Sequence, residues 1–201
     1  MATPQTQAPT ALRSAAEVNL RYIRATMASG GAFTSVSGAA TVFAGVMACV
    51  AGILTLSMAS LADWWPFIWL AAAAIAGPAG IFMMMRKAAR NGASMVAQGV
   101  GRRFLFALLP GFLACGTLSI AMLSRGQLTL VAATWLLGYG ASVCAAGAVS
   151  VRAVRVLGLL CLACGLPCVV LEVPQQQYWL IAGFGLSHIA VGAYIWREHG
   201  G

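Results

Sequence analysis

Long uninterrupted apolar segments alternate along the chain with short segments that carry the charged residues. Each apolar segment has close to the roughly 20 residues that a helix needs to cross a bilayer. The six segments cover about 38–60, 66–85, 104–123, 128–150, 153–171 and 178–196. The pattern predicts an all-α integral membrane protein whose six transmembrane helices form three hairpins and make one membrane domain over residues 38–197.

The composition supports this prediction. Hydrophobic residues make up 61% of the chain and charged residues only 8%, whereas ordinary soluble domains carry about 25% charged residues. A water-soluble globular fold is therefore excluded as the leading interpretation.

The basic residues predict the orientation, because Lys and Arg collect on the cytoplasmic side of membrane helices. With the N-terminus inside, the outer segments hold a single basic residue, Arg125. The inner segments hold Arg13, Arg21, Arg24, Arg86, Lys87, Arg90, Arg102, Arg103, Arg152, Arg155 and Arg197. Both termini are predicted to be cytoplasmic, and the net charge of +8 is interpreted as a topological signal rather than as nucleic-acid binding.

The N-terminal region has two parts. Residues 1–10 are polar and predict a disordered tail, and no secretory signal pattern is visible. Residues 11–29 have helical spacing, with Leu12, Leu20 and Ile23 on one face, and predict an amphipathic helix. Such a helix lies in the membrane interface, packs on the inner ends of the bundle or docks a soluble partner.

Basic residues in this helix and in the loop 86–103 are the candidate contacts for anionic lipid or a cytoplasmic protein partner. They are Arg13, Arg21, Arg24, Arg86, Lys87, Arg90, Arg102 and Arg103. The alternative is that these residues serve topology alone.

An internal repeat is indicated by the match of "GYGASVCAAGAVSVR", residues 138–152, with "GFGLSHIAVGAYIWR", residues 183–197. The glycines, a serine and the terminal arginine coincide, and Tyr139 matches Phe184. The first hairpin follows the pattern more weakly. We interpret it as a parallel triplication of a two-helix unit, related by an axis along the membrane normal.

Cysteines concentrate in "CLACGLPC", residues 161–168, where Cys161, Cys164, Cys168 and Glu172 fall on one helical stripe. Cys161 and Cys168 are about 10 Å apart along a helix, so one metal ion cannot collect all three thiols. Cys49, Cys115 and Cys164 occupy equivalent places among glycines. The interpretation is close helix packing by small side chains, with no metal or other cofactor; a soft-metal or thiol site is the alternative.

His188 is the only ionisable group deep within a predicted span, and such a residue is a functional candidate by default. With Ser142 and Ser187 it forms a candidate polar site at the bundle midplane. A structural histidine that is hydrogen-bonded to Ser, Thr or backbone is the alternative. Pro78, Pro110 and Pro167 interrupt their spans and would open backbone groups to a cavity or be absorbed as kinks.

The stretch 19–48 resembles the start of a group of multi-pass membrane proteins from soil bacteria such as acidobacteria. The shared pattern is "LRYIR.TM....FT.V.G", matched here, with five rather than four residues between Met27 and Phe33, by Leu20, Arg21, Tyr22, Ile23, Arg24, Thr26, Met27, Phe33, Thr34, Val36 and Gly38. The resemblance covers mainly the first quarter of the chain. It implies a cytoplasmic partner or a stress-linked role, and it carries no activity.

Three functions follow as hypotheses. The first is a non-catalytic protein of the bacterial inner membrane that acts as a regulatory or sensory component, docking a cytoplasmic partner or anionic lipid. The second is a small-molecule or ion transporter with a midplane site at Ser142, Ser187 and His188. The third is a metal or thiol redox enzyme, which the spacing of the cysteines disfavours.

Overall fold

The computed structural model describes residues 14, 16–23, 33–58, 63–90 and 99–199. The chain divides into two units, Met1–Gly31 and Ala32–Gly201. In the first unit, residues 16–23 are helical and all their side chains are exposed. The amphipathic character of the helix predicted over residues 11–29 stays a prediction. The rest of that helix and the tail 1–10 lie outside the described residues.

The second unit is a bundle of helices. Three of its spans are single helices: α1 (Gly38–Ser57), α2 (Trp65–Arg90) and α3 (Val100–Ser124). The other three are composite. A 3₁₀ turn (Leu128–Leu130) leads into α4 (Val131–Gly147), and α5 (Arg152–Gly165) leads into a 3₁₀ turn (Pro167–Val169). The sixth span consists of α6 (Val173–Leu180), a π-helical turn (Ile181–Leu186) and α7 (Ser187–His199). All six are long and apolar enough to cross a membrane, which confirms the predicted fold class.

The ends of some spans differ from the prediction. The sixth span begins at Val173, before the predicted residue 178, because Pro174 is tolerated in a first helical turn and its fixed φ favours helix there. Pro167 starts a 3₁₀ turn, as an interruption predicts. Pro78 and Pro110 instead lie inside α2 and α3, so these two helices continue through their prolines.

The contacts between helices give the spatial order of the spans. In the described residues, α1 packs against both α2 and the sixth span, the sixth span packs against α5, α5 against α4, and α4 against α3. Two buried clusters occupy the two ends of the bundle. We call the end with Phe33, Lys87 and Arg152 the basic end, and the end with Trp65, Trp135 and Gln177 the tryptophan end.

Glycines set the closest approaches between spans. A Cβ on Gly140 would lie 2.8 Å from the Gly158 oxygen in α5, and a Cβ on Gly192 would lie 2.7 Å from the Val42 nitrogen in α1. Only hydrogen fits at such positions, which is how small residues let membrane helices approach closely.

Positions matched by the repeat make matched contacts in the second and third hairpins. Cys115 faces Gly138, and Cys164 faces Gly183. The matched serines behave alike too, since each donates to the carbonyl four residues earlier. In the first hairpin, Cys49 instead faces Gly185 of the sixth span. The triplication therefore stays a prediction.

Candidate functional site

The middle of the sixth span contains a π-helical turn over Ile181–Leu186. Single-turn π insertions are rare and occur frequently at functional sites. Here three side chains direct donors at one backbone acceptor, the Gly183 carbonyl. Ser187 Oγ donates to it, Cys161 Sγ lies 3.4 Å from it, and His188 Nδ1 lies 3.1 Å from it. The turn is thus the site of a cluster of polar groups inside an otherwise apolar span.

His188 is buried, with 4% of its surface exposed, and both ring nitrogens have partners. Since a carbonyl oxygen only accepts, Nδ1 carries the proton that it shares with Gly183. In the neutral ring Nε2 is then an acceptor, and the Tyr139 hydroxyl, 2.7 Å away, donates to it. The pair joins α4 to the sixth span by a hydrogen bond between two side chains.

Aromatic rings surround this pair. Tyr139 meets Phe112 and Phe184 edge to face, with ring centroids 5.7 Å and 5.2 Å apart. Phe184 in turn lies beside Trp69 of α2 at 6.2 Å. The array runs from α3 across α4 and the sixth span to α2, so four spans contribute to one aromatic layer.

The structure brings together two of the three predicted midplane residues. Ser187 and His188 share the Gly183 carbonyl, whereas Ser142 donates to the Gly138 carbonyl at 2.7 Å and lies against Gly111 of α3. Sequence reasoning missed Tyr139 and Cys161 as members of this site. The signal for Tyr139 was present, because Tyr139 and Phe184 are the matched aromatic residues of the repeat.

The cysteines contact glycines and backbone carbonyls. Cys115 Sγ lies 3.4 Å from the Thr134 oxygen, and Cys168 Sγ lies 3.5 Å from the Cys164 oxygen. In the part of the chain that the structure describes, no three His, Cys, Asp or Glu side chains are grouped so that they could hold a metal ion. These contacts are those of small side chains in close helix interfaces.

At the basic end, a non-helical segment that is buried at every residue except Thr34 precedes α1. We call residues 33–37 the strap. The Phe33 nitrogen donates to the Val149 oxygen at 2.8 Å, and Ser150 Oγ donates to the Phe33 oxygen at 2.7 Å. The Phe33 ring packs on Phe104 of α3 with centroids 4.8 Å apart. The strap is thereby fixed to the α4–α5 connection and to α3.

Lys87 fixes the strap to α2. It is 8% exposed, and its Nζ donates to the Val36 oxygen at 3.0 Å. Lys87 was a candidate contact for lipid or a partner, and the structure instead turns it inward. The other described candidates are exposed: Arg21, Arg86, Arg90, Arg102 and Arg103. Arg13 and Arg24 lie outside the described residues.

The fold defines a six-span helical membrane protein. Compared with protein family models, curated proteins and solved structures, the chain matches none.

Proposed function

We propose that this chain is a non-catalytic, regulatory or sensory protein of the bacterial inner membrane, which docks a cytoplasmic partner through its N-terminal helix. The observation that carries the proposal is the strap. It follows the N-terminal helix in the chain and is tied by hydrogen bonds to α2 and to the α4–α5 connection. A change in the N-terminal segment on partner binding would therefore act on the strap, which is continuous with that segment in the chain and hydrogen-bonded to the bundle.

The helical residues 16–23 support a docking role. Val18, Leu20 and Ile23 are 59%, 51% and 50% exposed. Apolar side chains on a short basic amphipathic helix bind a partner groove or the headgroup region of anionic membranes. We favour a protein partner, because anionic lipid alone gives such a helix no signal to transmit.

The distribution of basic residues supports a cytoplasmic location for the basic end of the bundle. The described arginines Arg86, Arg90, Arg102 and Arg103 are exposed at the basic end, and Arg125 is the one basic residue assigned to the other side. By the positive-inside rule the basic end faces the cytoplasm. Exposed arginines there also attract anionic headgroups, at about 1 kcal/mol each.

The docking proposal is tested by crosslinking and co-purification from native membranes. Leu20→Ser together with Ile23→Ser removes the apolar face and leaves the charges in place. Glu17→Ser, on the same exposed helix, is the matched control. We expect a protein captured by the wild type and by the control to be lost from the double variant. Equal capture by all three, or capture of nothing but lipid, contradicts the proposal.

A second candidate function is transport of a small molecule or ion past the midplane, with Ser187 and His188 at the site and Ser142 near it. The π-helical turn favours this function. Inside the membrane span it brings together the ionisable ring of His188 and the Gly183 carbonyl, which accepts several hydrogen bonds. The test compares the uptake of small molecules and ions into vesicles that contain the wild type with uptake into vesicles that contain His188→Gln. Equal uptake by the two would remove this candidate.

A further inference from the structure

The helix α2 is anchored to the bundle at its two ends. Trp65 and Trp69 are buried at the tryptophan end, at 2% and 5% exposed. Lys87 and Ala88 are buried at the basic end, at 8% and 1% exposed. Between Ala72 and Lys87 no side chain of α2 is buried. The stretch between the two anchors therefore packs only in part against the rest of the protein.

This stretch contains "AGPAG", residues 76–80, which weakens the helix locally. Pro78 has no N–H group, so the carbonyl of Ala74 lacks its usual helical donor. Gly77 and Gly80 are, after proline, the residues that favour helix least. A Cβ on either glycine would meet nothing within 4 Å, so neither is required by close packing. Sharp bends in helices occur at such prolines, and we call residues 76–80 the hinge.

The strap fastens the part of α2 that follows the hinge. We call this part, residues 81–90, the arm. Its Lys87 donates from Nζ to the Val36 oxygen of the strap at 3.0 Å. Its Ala88 belongs to the same buried cluster as Phe33 of the strap. In the described part of the chain, α1 is the one span that α2 contacts extensively. The strap therefore adds a polar and an apolar attachment at the end of the arm.

We propose that the arm is a hinged element that the strap latches, and that withdrawal of the strap lets the arm swing away from the bundle. Without the Val36 oxygen the Lys87 ammonium loses an acceptor inside the protein. The long stem of a lysine lets its charged end reach the headgroups instead, which favours the open position. Opening uncovers the cluster that includes Ala88 and Phe33, and so presents a new surface at the basic end.

The trigger for opening rests on the proposed docking function. The strap follows the N-terminal helix in the chain, so a partner that binds this helix and pulls on the strap releases Lys87. The hinge and the latch themselves do not depend on a partner. They are properties of α2 and the strap, and the full chain shows them in the absence of any other protein.

The test measures distances between spin labels by pulsed electron paramagnetic resonance on the full chain in nanodiscs. The labels are attached to ketone-bearing amino acids, so the native cysteines stay in place. One label replaces Met85 of the arm or, for comparison, Phe67 before the hinge, and the second replaces Val156 of α5. The three positions are 49%, 53% and 48% exposed. A bend of about 20° at Pro78 would move Met85, which lies about 10 Å further along the helix, by about 4 Å.

We expect one distance for each label pair in the wild type. In Lys87→Met the latch lacks its donor, and we expect a second distance for the arm pair alone, shifted by about 4 Å. Arg90→Met is the matched control, because Arg90 is exposed on the same arm, and its distances are expected to equal those of the wild type. Pro78→Ala combined with Lys87→Met restores the backbone donor, and we expect it to remove most of the second distance.

Three results would overturn the proposal. If the arm pair has the same distances in Lys87→Met as in the wild type, the strap does not hold the arm. If both pairs shift equally, α2 moves as a whole and has no hinge. If the second distance persists undiminished when Pro78→Ala is added, the bend lies elsewhere. Failure of docking is a separate result: loss of partner capture as the trigger leaves a shifted arm pair in Lys87→Met unexplained by anything but the latch.

Discussion

The Tyr139 hydroxyl oxygen lies 2.7 Å from His188 Nε2, and this contact joins the fourth and sixth spans near the middle of the bundle. The second ring nitrogen of His188 faces the Gly183 carbonyl. A histidine inside a membrane helix is expensive unless both nitrogens are engaged. Tyr139 and the π-helical turn together provide that engagement.

Removing the tyrosine hydroxyl is therefore expected to destabilise the fold. Tyr139→Phe keeps the ring contacts with Phe112 and Phe184 but leaves a buried nitrogen of His188 without its donor. We expect a loss of about 1–3 kcal/mol, measured as a lower Tm in detergent. Tyr178→Phe is the control, because Tyr178 is 64% exposed. An unchanged Tm in Tyr139→Phe would show that the hydroxyl contributes nothing to stability.

Close glycine contacts give a second prediction. A Cβ on Gly140 would come within 2.8 Å of backbone atoms of α5, and backbone cannot move away as a flexible side chain does. We expect Gly140→Ala to cost about 1–3 kcal/mol. Gly116→Ala in α3 is the matched control, since a Cβ there meets nothing within 4 Å and the change is expected to be neutral or slightly stabilising. The measurement is thermal unfolding of both variants in the same detergent, and equal Tm values would contradict the assigned interface.

The sequence predicted the six spans because length and apolarity alone decide whether a helix crosses a bilayer. The repeat aligns Gly138 with Gly183 and Cys115 with Cys164, but it did not predict that each of these cysteines packs against the glycine of its own hairpin. Span ends were predicted less well. Because Lys87 is charged, the prediction ended the second span before it. In the structure α2 continues to Arg90, and Lys87 Nζ donates to the Val36 oxygen.

The candidate site was predicted only in part. His188 stood out because it is ionisable in an apolar segment, and Ser187 because it adjoins it. Tyr139 lies 49 residues away in the chain, and which ring reaches which nitrogen depends on how α4 and the sixth span are rotated. The π-helical turn over Ile181–Leu186 precedes His188, and no residue type within it predicts such a turn. Which side chains pair between spans that are distant in the chain could therefore be learned only from the structure.

The strap provides a prediction about local opening. Lys87→Met keeps the side chain's length but removes the donor to the Val36 oxygen. We expect faster amide hydrogen exchange over residues 33–37, with protection of α4 and α5 unchanged, because opening one strap bond is a local event. Arg90→Met is the control, on the same helix end but exposed. If exchange over the strap is the same in both variants, the Lys87 contact does not fasten the segment.

The last prediction concerns Cys164, whose Cβ lies 3.1 Å from where a Cβ on Gly183 would stand. If the cysteine only fills this narrow interface, Cys164→Ala leaves stability nearly unchanged, because alanine is also small. Cys164→Leu forces extra atoms against the sixth span and is expected to cost about 1–3 kcal/mol. The same ordering is expected at Cys115, which faces Gly138.

A thiol or metal site makes the opposite prediction for the same variants, since alanine then removes the reactive sulfur as completely as leucine does. The measurement is thermal stability in detergent together with metal analysis of protein purified without a metal-binding tag. Loss of a stoichiometric metal in both variants, with little change in Tm, would overturn the packing account. A Tm that falls only in Cys164→Leu would support it, because only the leucine changes how closely α5 and the sixth span approach.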